Sequence, residues 1–97
     1  MFDYRDIENN LIASKCPPHL ENGAIVDPNE YLIIEGDSIV CIDRDNNEIW
    51  IEVEMVDGTK LLGEVYEASV STIAKPGDHV RVNFDSIEKT YHLYSHY

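Results

Sequence analysis

The stretch that most constrains the fold is residues 48–65, "EIWIEVEMVDGTKLLGEV". Apolar and acidic residues alternate along its first half, as in a strand with one buried face, and the Asp-Gly pair in its middle is a turn sequence. These patterns predict a β-hairpin. The chain's single tryptophan, Trp50, falls in phase with three glutamates, Glu48, Glu52 and Glu54. The largest apolar side chain is therefore predicted on the acidic side of its strand.

Two turn geometries are compatible with the middle of this hairpin. A two-residue turn would pair Val56 with Thr59, which sets acidic residues against core residues on both faces. A three-residue loop ending at Gly58, the bulge residue, pairs Met55 with Thr59 instead. In that register one face is wholly apolar and the other gains an opposite-charge pair. We predict the second register.

The predicted register places an apolar cluster on the outer face of the hairpin. Its members are Trp50, Leu62 and Tyr66, among the carboxylates of Glu48, Glu52 and Glu64. An exposed apolar cluster is either covered by the protein's own chain or offered to a partner. An N-terminal helix and the aromatic C-terminal strand are the two candidates for such a cover, and both alternatives stay open at this point.

The N-terminal segment has the pattern of a short helix over about residues 3–15. Asp3 is a good N-cap, and apolar residues recur at helical spacing as Tyr4, Ile7 and Leu11. The Pro-Pro pair that follows ends it. Residues 19–30 are predicted as a loop, in which Asp27–Glu30 forms either one capped helical turn or a plain turn.

Two later segments share a Gly-Asp turn that leads into an alternating strand, "EGDSIVCID" (35–43) and "PGDHVRVNF" (76–84). We interpret the similarity as the same turn chemistry used twice, not as a duplication. The predicted fold is mainly β (α+β): a small, curved, SH3-like antiparallel barrel of five to six strands over about residues 31–94, preceded by the helix. A chain of 97 residues is expected to form a single domain, residues 1–97.

The net charge of −12 is concentrated in the middle of the chain. Residues 27–57 contain ten acidic side chains and a single basic one, Arg44. Direct binding to nucleic acid is excluded on this basis, because such binding depends on Lys and Arg replacing the counterions of phosphate. A protein with a basic surface is the natural partner for a field of this sign.

The acidic side chains around the hairpin have two interpretations. One is a solvated face that serves solubility. The other is an acidic ridge, made of Asp43, Asp45, Glu48, Glu52 and Glu54 together with Asp57. Such a ridge would imitate a nucleic acid and occupy a Lys/Arg-lined groove of a nucleic-acid-binding protein, as small acidic inhibitors do in phage and bacterial conflict.

The stretch "NEIWIEVEMVDGTKLLGEV", between "EGDSIVCI" and "KPGDHVRVNFDSIEK", resembles a set of small uncharacterised bacterial and phage domains. These have a Glu-x-x-Trp-Val-x-Val strand, a Gly-x-[Val/Leu] return strand and a Gly-Asp-x-[Val/Ile]-x-Phe strand. The matching residues are Trp50, Ile51, Val53, Gly63, Val65, Gly77, Asp78, Phe84 and Ile87. Glu48 lies one residue closer to the tryptophan than in that pattern. The resemblance covers about residues 35–90 and implies an SH3-like architecture without implying a chemistry.

Four soft metal ligands occur at plausible spacings, Cys16, His19, His92 and His96. Surface histidines with a free cysteine are the commoner outcome of such a pattern, so we predict no metal and no cofactor. Cys41 alternates with Ile39 along a strand and is predicted to be a small buried residue. There is no Gly-rich phosphate loop and no Ser-His-Asp signature, so we predict that the protein is not an enzyme.

The longest aliphatic run is three residues, far short of the roughly 20 that cross a bilayer. The start of the sequence has no apolar region typical of a secretion signal, and two cysteines are too few for a disulfide framework. A cytoplasmic protein that does not bind membranes is expected.

The predicted function is a non-catalytic protein-binding module, an inhibitor or adaptor that docks on a basic protein surface. The alternative is a self-associating or zinc-binding structural domain with Trp50 buried, for instance in a homodimer.

Overall fold

The computed structural model describes residues 3–69 and 73–93. Strands dominate this part of the chain, and its helical residues form two short 3₁₀ turns, Glu8–Asn10 and Phe84–Ser86. The strands in chain order are β1 (Arg5–Asp6), β2 (His19–Glu21), β3 (Ala24–Val26), β4 (Ser38–Ile42), β5 (Glu48–Asp57), β6 (Lys60–Ala68), β7 (His79–Asn83) and β8 (Ile87–Tyr91). The prediction of a mainly β protein is confirmed.

The strands form one sheet of six and one of two. The order in the large sheet is β1-β7-β6-β5-β4-β8, and the small sheet pairs β2 with β3. Only β1 and β7 pair in parallel; the other pairs are antiparallel. Neither sheet closes on itself, so the prediction of a closed barrel is wrong. The outermost strands of the large sheet, β1 and β8, do not pair with each other.

The predicted N-terminal helix is also wrong. Arg5 and Asp6 pair with β7, and the Glu8 carboxylate accepts hydrogen bonds from the Asn83 backbone N–H, at 2.7 Å, and from the Ser86 hydroxyl. The apolar residues of the predicted stripe, Ile7 and Leu11, are buried, but they flank a single 3₁₀ turn, Glu8–Asn10, and do not lie on an α-helix. A short segment gains little from helix propensity alone, so pairing with a sheet edge determines its conformation.

The hairpin between β5 and β6 closes in a register that differs from the predicted one. Asp57 pairs with Lys60 around a two-residue turn, in which Gly58 has a left-handed φ of 63°. A shift in register near Glu54 then sets Val53 opposite Gly63. Because a bulge changes which side chains share a face, this shift restores an apolar inner face.

The burial of β5 confirms the predicted inward face at Ile51 and Val53, whereas Leu62, predicted on the outer face, is buried. Ile51 and Val53 are 1% exposed, whereas Glu52 between them is exposed. Their apolar side chains join the core under the large sheet. The core consists of Ile7, Leu11, Ile25, Ile33, Ile39, Cys41, Ile49, Ile51, Val53, Leu61, Val65, Ala74, Val80, Val82 and Ile87.

The two Gly-Asp turns, Gly36-Asp37 and Gly77-Asp78, have the same construction. In each, the glycine has a φ near 97° and its N–H donates to a valine carbonyl of a long strand, Val53 or Val65, at 2.8 Å. The same valine then donates its N–H to the aspartate carbonyl, and the aspartate carboxylate accepts from the N–H three residues earlier. The interpretation of the repeat as shared turn chemistry is confirmed.

The segment 19–30, predicted as a loop, contains the small sheet. Asn22 and Gly23 both have left-handed φ values, 53° and 82°, and connect β2 to β3 as a two-residue turn. Asn-Gly is the sequence that most favours this turn, because both positions require positive φ.

Candidate functional site

The most prominent surface feature is an aromatic patch, made of Trp50, Tyr66 and Tyr91. The rings of Trp50 and Tyr91 are stacked, with centroids 5.4 Å apart and an angle of 16° between their planes. Tyr66 meets the tryptophan edge-on at 6.3 Å. Tyr66 and Tyr91 remain 44% and 48% exposed, so the patch presents apolar surface to solvent.

The sheet itself positions these rings. Trp50 lies on β5, and its cross-strand partner on β4 is Val40, which is 1% exposed. Val40 alternates with the core residues Ile39 and Cys41, so it faces the opposite side of the sheet from them. Val40 is therefore an apolar residue buried next to Trp50, on the side of the sheet that carries the aromatic patch.

The membership of the patch differs from the prediction at one position. Leu62, predicted beside Trp50, is buried and pairs with Met55 and Arg81. Tyr91 of β8 takes its place. The sequence signal for Tyr91 was the aromatic C-terminal strand, which had been considered only as a cover.

The two proposed covers for Trp50 have different outcomes. The helix does not form in the described residues, so it cannot cover the tryptophan. The C-terminal strand does contribute Tyr91, whose ring covers one face of the indole. The remainder of the aromatic tail, residues 94–97, lies outside the described residues.

Carboxylates surround the patch. Trp50 donates its indole N–H to the Glu48 carboxylate at 3.4 Å, a long hydrogen bond. Glu52 is exposed on the same strand. Glu67, which was not predicted as a site residue, is exposed on β6 directly opposite Trp50. The patch therefore combines aromatic rings with solvent-accessible anions.

Asp43 does not belong to this acidic surface, although it was predicted there. It is 3% exposed, and its carboxylate accepts the backbone N–H groups of Asp45 and Asn47, at 2.9 and 2.8 Å. This carboxylate shapes the turn between β4 and β5. Asp45 is exposed and remains available at the surface.

Glu54 and Glu64 are half-buried, and both carboxylates lie within 4 Å of the His79 ring, while Glu64 also pairs across the strands with Glu52. The Tyr4 hydroxyl donates a 2.9 Å hydrogen bond to Glu54, which raises the pKa of the tyrosine. The acidic ridge on the outer face is therefore shorter than predicted.

His92 occupies a second ionic cluster with Asp27 and Asp37. Burial alone would lower the pKa of the imidazole, but its hydrogen bonds to the two carboxylates outweigh burial and raise it. Burial likewise favours the neutral form of Asp27, yet hydrogen bonds from His92 and from the backbone of Tyr31 and Asn29 lower its pKa. The cluster joins the chain after β8 to the loop before β4.

The four candidate metal ligands that the sequence offered do not come together in the described part of the chain. His92 is held by its two aspartates, and His19 lies 3.2 Å from Glu21 on the small sheet. Cys16 is exposed, and neither it nor His92 belongs to a group of three close metal-binding side chains there. His96 lies outside the described residues. Cys41 is buried, and burial raises the pKa of its thiol, as expected of a packed apolar group.

No helix within residues 3–69 and 73–93 has the length and apolar character needed to cross a lipid bilayer.

The protein-family models, the curated protein sequences and the solved structures contain no match to this chain. The resemblance to small bacterial and phage domains therefore stays a prediction.

Proposed function

We propose that this protein is a non-catalytic binding module, an inhibitor or adaptor that docks on a basic protein surface. The aromatic patch of Trp50, Tyr66 and Tyr91 makes the central contact, and the exposed glutamates around it select a cationic partner. The observation that carries the proposal is the stack of Trp50 on Tyr91, with two tyrosines left nearly half exposed among carboxylates.

The composition of the patch supports a contact with another protein. Tryptophan and tyrosine are enriched among the residues that contribute most to binding, because they bury a large rigid area at a low entropic cost. The stack of Trp50 on Tyr91, with buried Val40 opposite Trp50 on β4, gives two of the rings a defined arrangement in the unbound protein. A preorganised surface loses little side-chain freedom when a partner covers it.

The surrounding charges define the chemistry of the partner. A Lys or Arg side chain gains from the face or edge of an aromatic ring through cation–π attraction and from a nearby carboxylate through a salt bridge. Glu52 and Glu67 flank Trp50 on its own strand and on β6. A partner rich in Lys and Arg, of the kind that binds nucleic acids, satisfies both requirements.

The net charge of −12 adds long-range attraction to the local contacts. A net charge of one sign accelerates association with a partner of the opposite sign, and this attraction falls strongly as ionic strength rises. The aromatic contacts depend far less on ionic strength. The two contributions can therefore be separated by salt.

The first experiment uses the full chain as immobilised bait for a cell lysate, and then measures the affinity of the purified captured protein. Tyr66→Ala is expected to weaken that affinity about tenfold or more. Leu20→Ala is the matched control, because Leu20 is also 44% exposed but lies on the small sheet. Equal affinity for the two variants would exclude the aromatic patch as the binding site.

The second experiment tests the charges. Glu52→Lys is expected to weaken binding and to reduce its salt dependence, whereas Glu21→Lys, an exposed substitution on β2, serves as the control for the change of net charge alone. Self-association through the patch is the competing outcome. Sedimentation analysis would reveal it as a dimer that Tyr66→Ala dissociates and that salt hardly affects.

A further inference from the structure

Glu54, Glu64 and His79 bring three metal-binding side chains together on neighbouring strands of the large sheet. Their ligand atoms all lie within 4.8 Å of one another. His79 Nε2 is 3.8 Å from Glu54 Oε1 and 3.7 Å from Glu64 Oε1. The His79 side chain is 16% exposed, so its ring is held in place while the two carboxylates remain open to solvent.

The backbone explains why these groups meet. Glu64 on β6 pairs directly with His79 on β7, so their side chains lie next to each other on one face. Glu54 lies at the register shift between Val53 and Met55, outside the regular ladder of β5. Bulges of this kind redirect a side chain and are frequent beside functional sites. Here the bulge accompanies the approach of a second carboxylate to the imidazole.

Tyr4 completes the group from the N-terminal segment. Its hydroxyl donates to Glu54 Oε1 at 2.9 Å, and its ring meets the His79 ring edge-on at 5.8 Å. Tyr4, which is not one of the three metal-binding residues, thus contacts both the Glu54 carboxylate and the His79 imidazole. Hydrogen bonds of this type from an outer residue are typical of metal-binding carboxylates.

We propose that Glu54, Glu64 and His79 bind a divalent first-row transition metal ion, with Zn²⁺ as the reference ion. A histidine and a carboxylate that form a direct hydrogen bond lie about 2.7–3.0 Å apart. The separations of 3.7 and 3.8 Å are longer than that and lie within the range of an ion pair. They approach the roughly 3.4 Å between two ligands of a tetrahedral ion that binds each at about 2.1 Å.

The donor set agrees with this ion. Imidazole nitrogen and carboxylate oxygen are both common zinc ligands, and three protein ligands leave a further position for water. A bound cation also relieves the repulsion between two carboxylates on a protein of net charge −12. The ion would join β5, β6 and β7 and, through Tyr4, the N-terminal segment.

A second group, His19, Glu21 and Glu30, serves as an internal control. Its ligand atoms are equally close, but all three residues are exposed. No outer hydrogen bond to its carboxylates comparable to that of Tyr4 is present among the interactions of the described residues. Binding at this group is expected to be much weaker, because the ordering of exposed side chains opposes it.

The experiment titrates the metal-free full chain with Zn²⁺ by calorimetry. One ion per chain is expected, with at least tenfold weaker binding for His79→Gln and for Glu64→Gln, about tenfold weaker binding for Tyr4→Phe, and unchanged binding for His19→Gln. Glu64 is half exposed, so its variant is expected to fold even if substitution of His79 disturbs the sheet. Circular dichroism of each variant verifies the fold.

Co²⁺ then locates the ion. Paramagnetic shifts are expected for the His79 ring and for the backbone of β6 and β7 near it. Absence of zinc binding would overturn the proposal. So would Zn²⁺ affinity that is unaffected in Glu64→Gln, or paramagnetic shifts centred on His19.

Discussion

His92 Nε2 lies 2.7 Å from Asp27 Oδ2, sixty-five residues earlier in the chain, and the other ring nitrogen lies 3.0 Å from Asp37 Oδ2. Two ionised carboxylates accept from both ring nitrogens only when the ring is protonated, so this arrangement favours the imidazolium form and raises the pKa of His92. Asp37 also accepts the backbone N–H of Leu93 at 2.9 Å. The end of the described chain is thereby fixed to the loop before β4.

This arrangement predicts that the pair of His92 and Asp27 stabilises the fold most in mildly acidic solution. The pKa of His92 is raised in the folded protein, so its contribution is complete below its ordinary value of 6.5 and is lost as the pH rises through the folded value. The pKa of Asp27 is lowered, so its contribution is present above 3.8 and is lost as the pH falls through the folded value. The contribution of the pair is therefore greatest between about pH 4 and 6.5.

Urea denaturation at several pH values tests this prediction. We expect His92→Gln to cost about 3 kcal/mol within that window, because it leaves two buried carboxylates without their cation, and less above it. His19→Gln, which changes an exposed histidine, is the control for the general effect of pH. A His92→Gln cost that stays constant from pH 5 to 9 would contradict the role of the charge.

Trp50 is the chain's single tryptophan, so its fluorescence reports on the aromatic patch alone. Tyr91→Ala is expected to shift the emission to longer wavelength, since the stacked ring that shields the indole is removed. The substitution is expected to cost about 1 kcal/mol of unfolding free energy. An emission spectrum identical to that of Leu20→Ala would show that the stack does not persist in solution.

Gly63 lies where two strands approach closely. A Cβ atom added there would be 2.0 Å from the Glu52 carbonyl oxygen, so the strands must separate to accept it. We expect Gly63→Ala to cost about 3 kcal/mol or more. Gly58→Ala is the comparison: a Cβ there meets nothing within 4 Å, and only the left-handed φ opposes it, at about 1 kcal/mol. Equal thermal stability of the two variants would contradict the close approach.

Asp43 and Asp45 are two residues apart in the same turn but have opposite environments. Asp43→Ala removes the acceptor of the Asp45 and Asn47 backbone N–H groups and is expected to cost about 2–3 kcal/mol. Asp45→Ala, at an exposed position, is expected to change stability by about 0.5 kcal/mol at most. Chemical denaturation of both variants measures the difference, and the reverse order would show that the turn does not depend on the buried carboxylate.

The two cysteines are expected to react differently with a thiol reagent. Cys16 is exposed and should react in the folded protein, whereas Cys41 is buried, with a raised pKa, and should react only after unfolding. Titration of thiols is expected to give one equivalent without denaturant and two equivalents with it. Rapid reaction of both in the native protein would contradict the burial of Cys41.

The sequence predicted the structure correctly where a local pattern, such as alternation along a strand or a glycine in a turn, determines the backbone conformation. The alternation in β5 predicted the buried face of Ile51 and Val53, and the Gly-Asp pairs predicted two turns of one construction. The aromatic cluster around Trp50 was predicted in part, since Tyr66 joins it. In the first two cases a local rule, the period of two in a strand or the positive φ of a glycine, is sufficient to fix the result.

The errors arose where tertiary contacts decide the structure. The spacing of Ile7 and Leu11 fits a helix, but the edge of β7 offers backbone partners that an isolated helical turn cannot match. The hairpin register depended on a bulge near Glu54, which a single sequence does not reveal. Asp43 was assigned to the surface because its charge was considered without the backbone N–H groups that it accepts.

The stack of Trp50 on Tyr91 joins the middle of the chain to its last described strand. During synthesis from the N-terminus, the hairpin that carries the tryptophan emerges well before β8 does. A nascent chain, or one truncated after β7, therefore contains Trp50 without the ring that stacks on it. The surface that we propose for recognition is complete only when β8 joins the sheet, so partner binding would distinguish chains that have paired β8 from chains that have not.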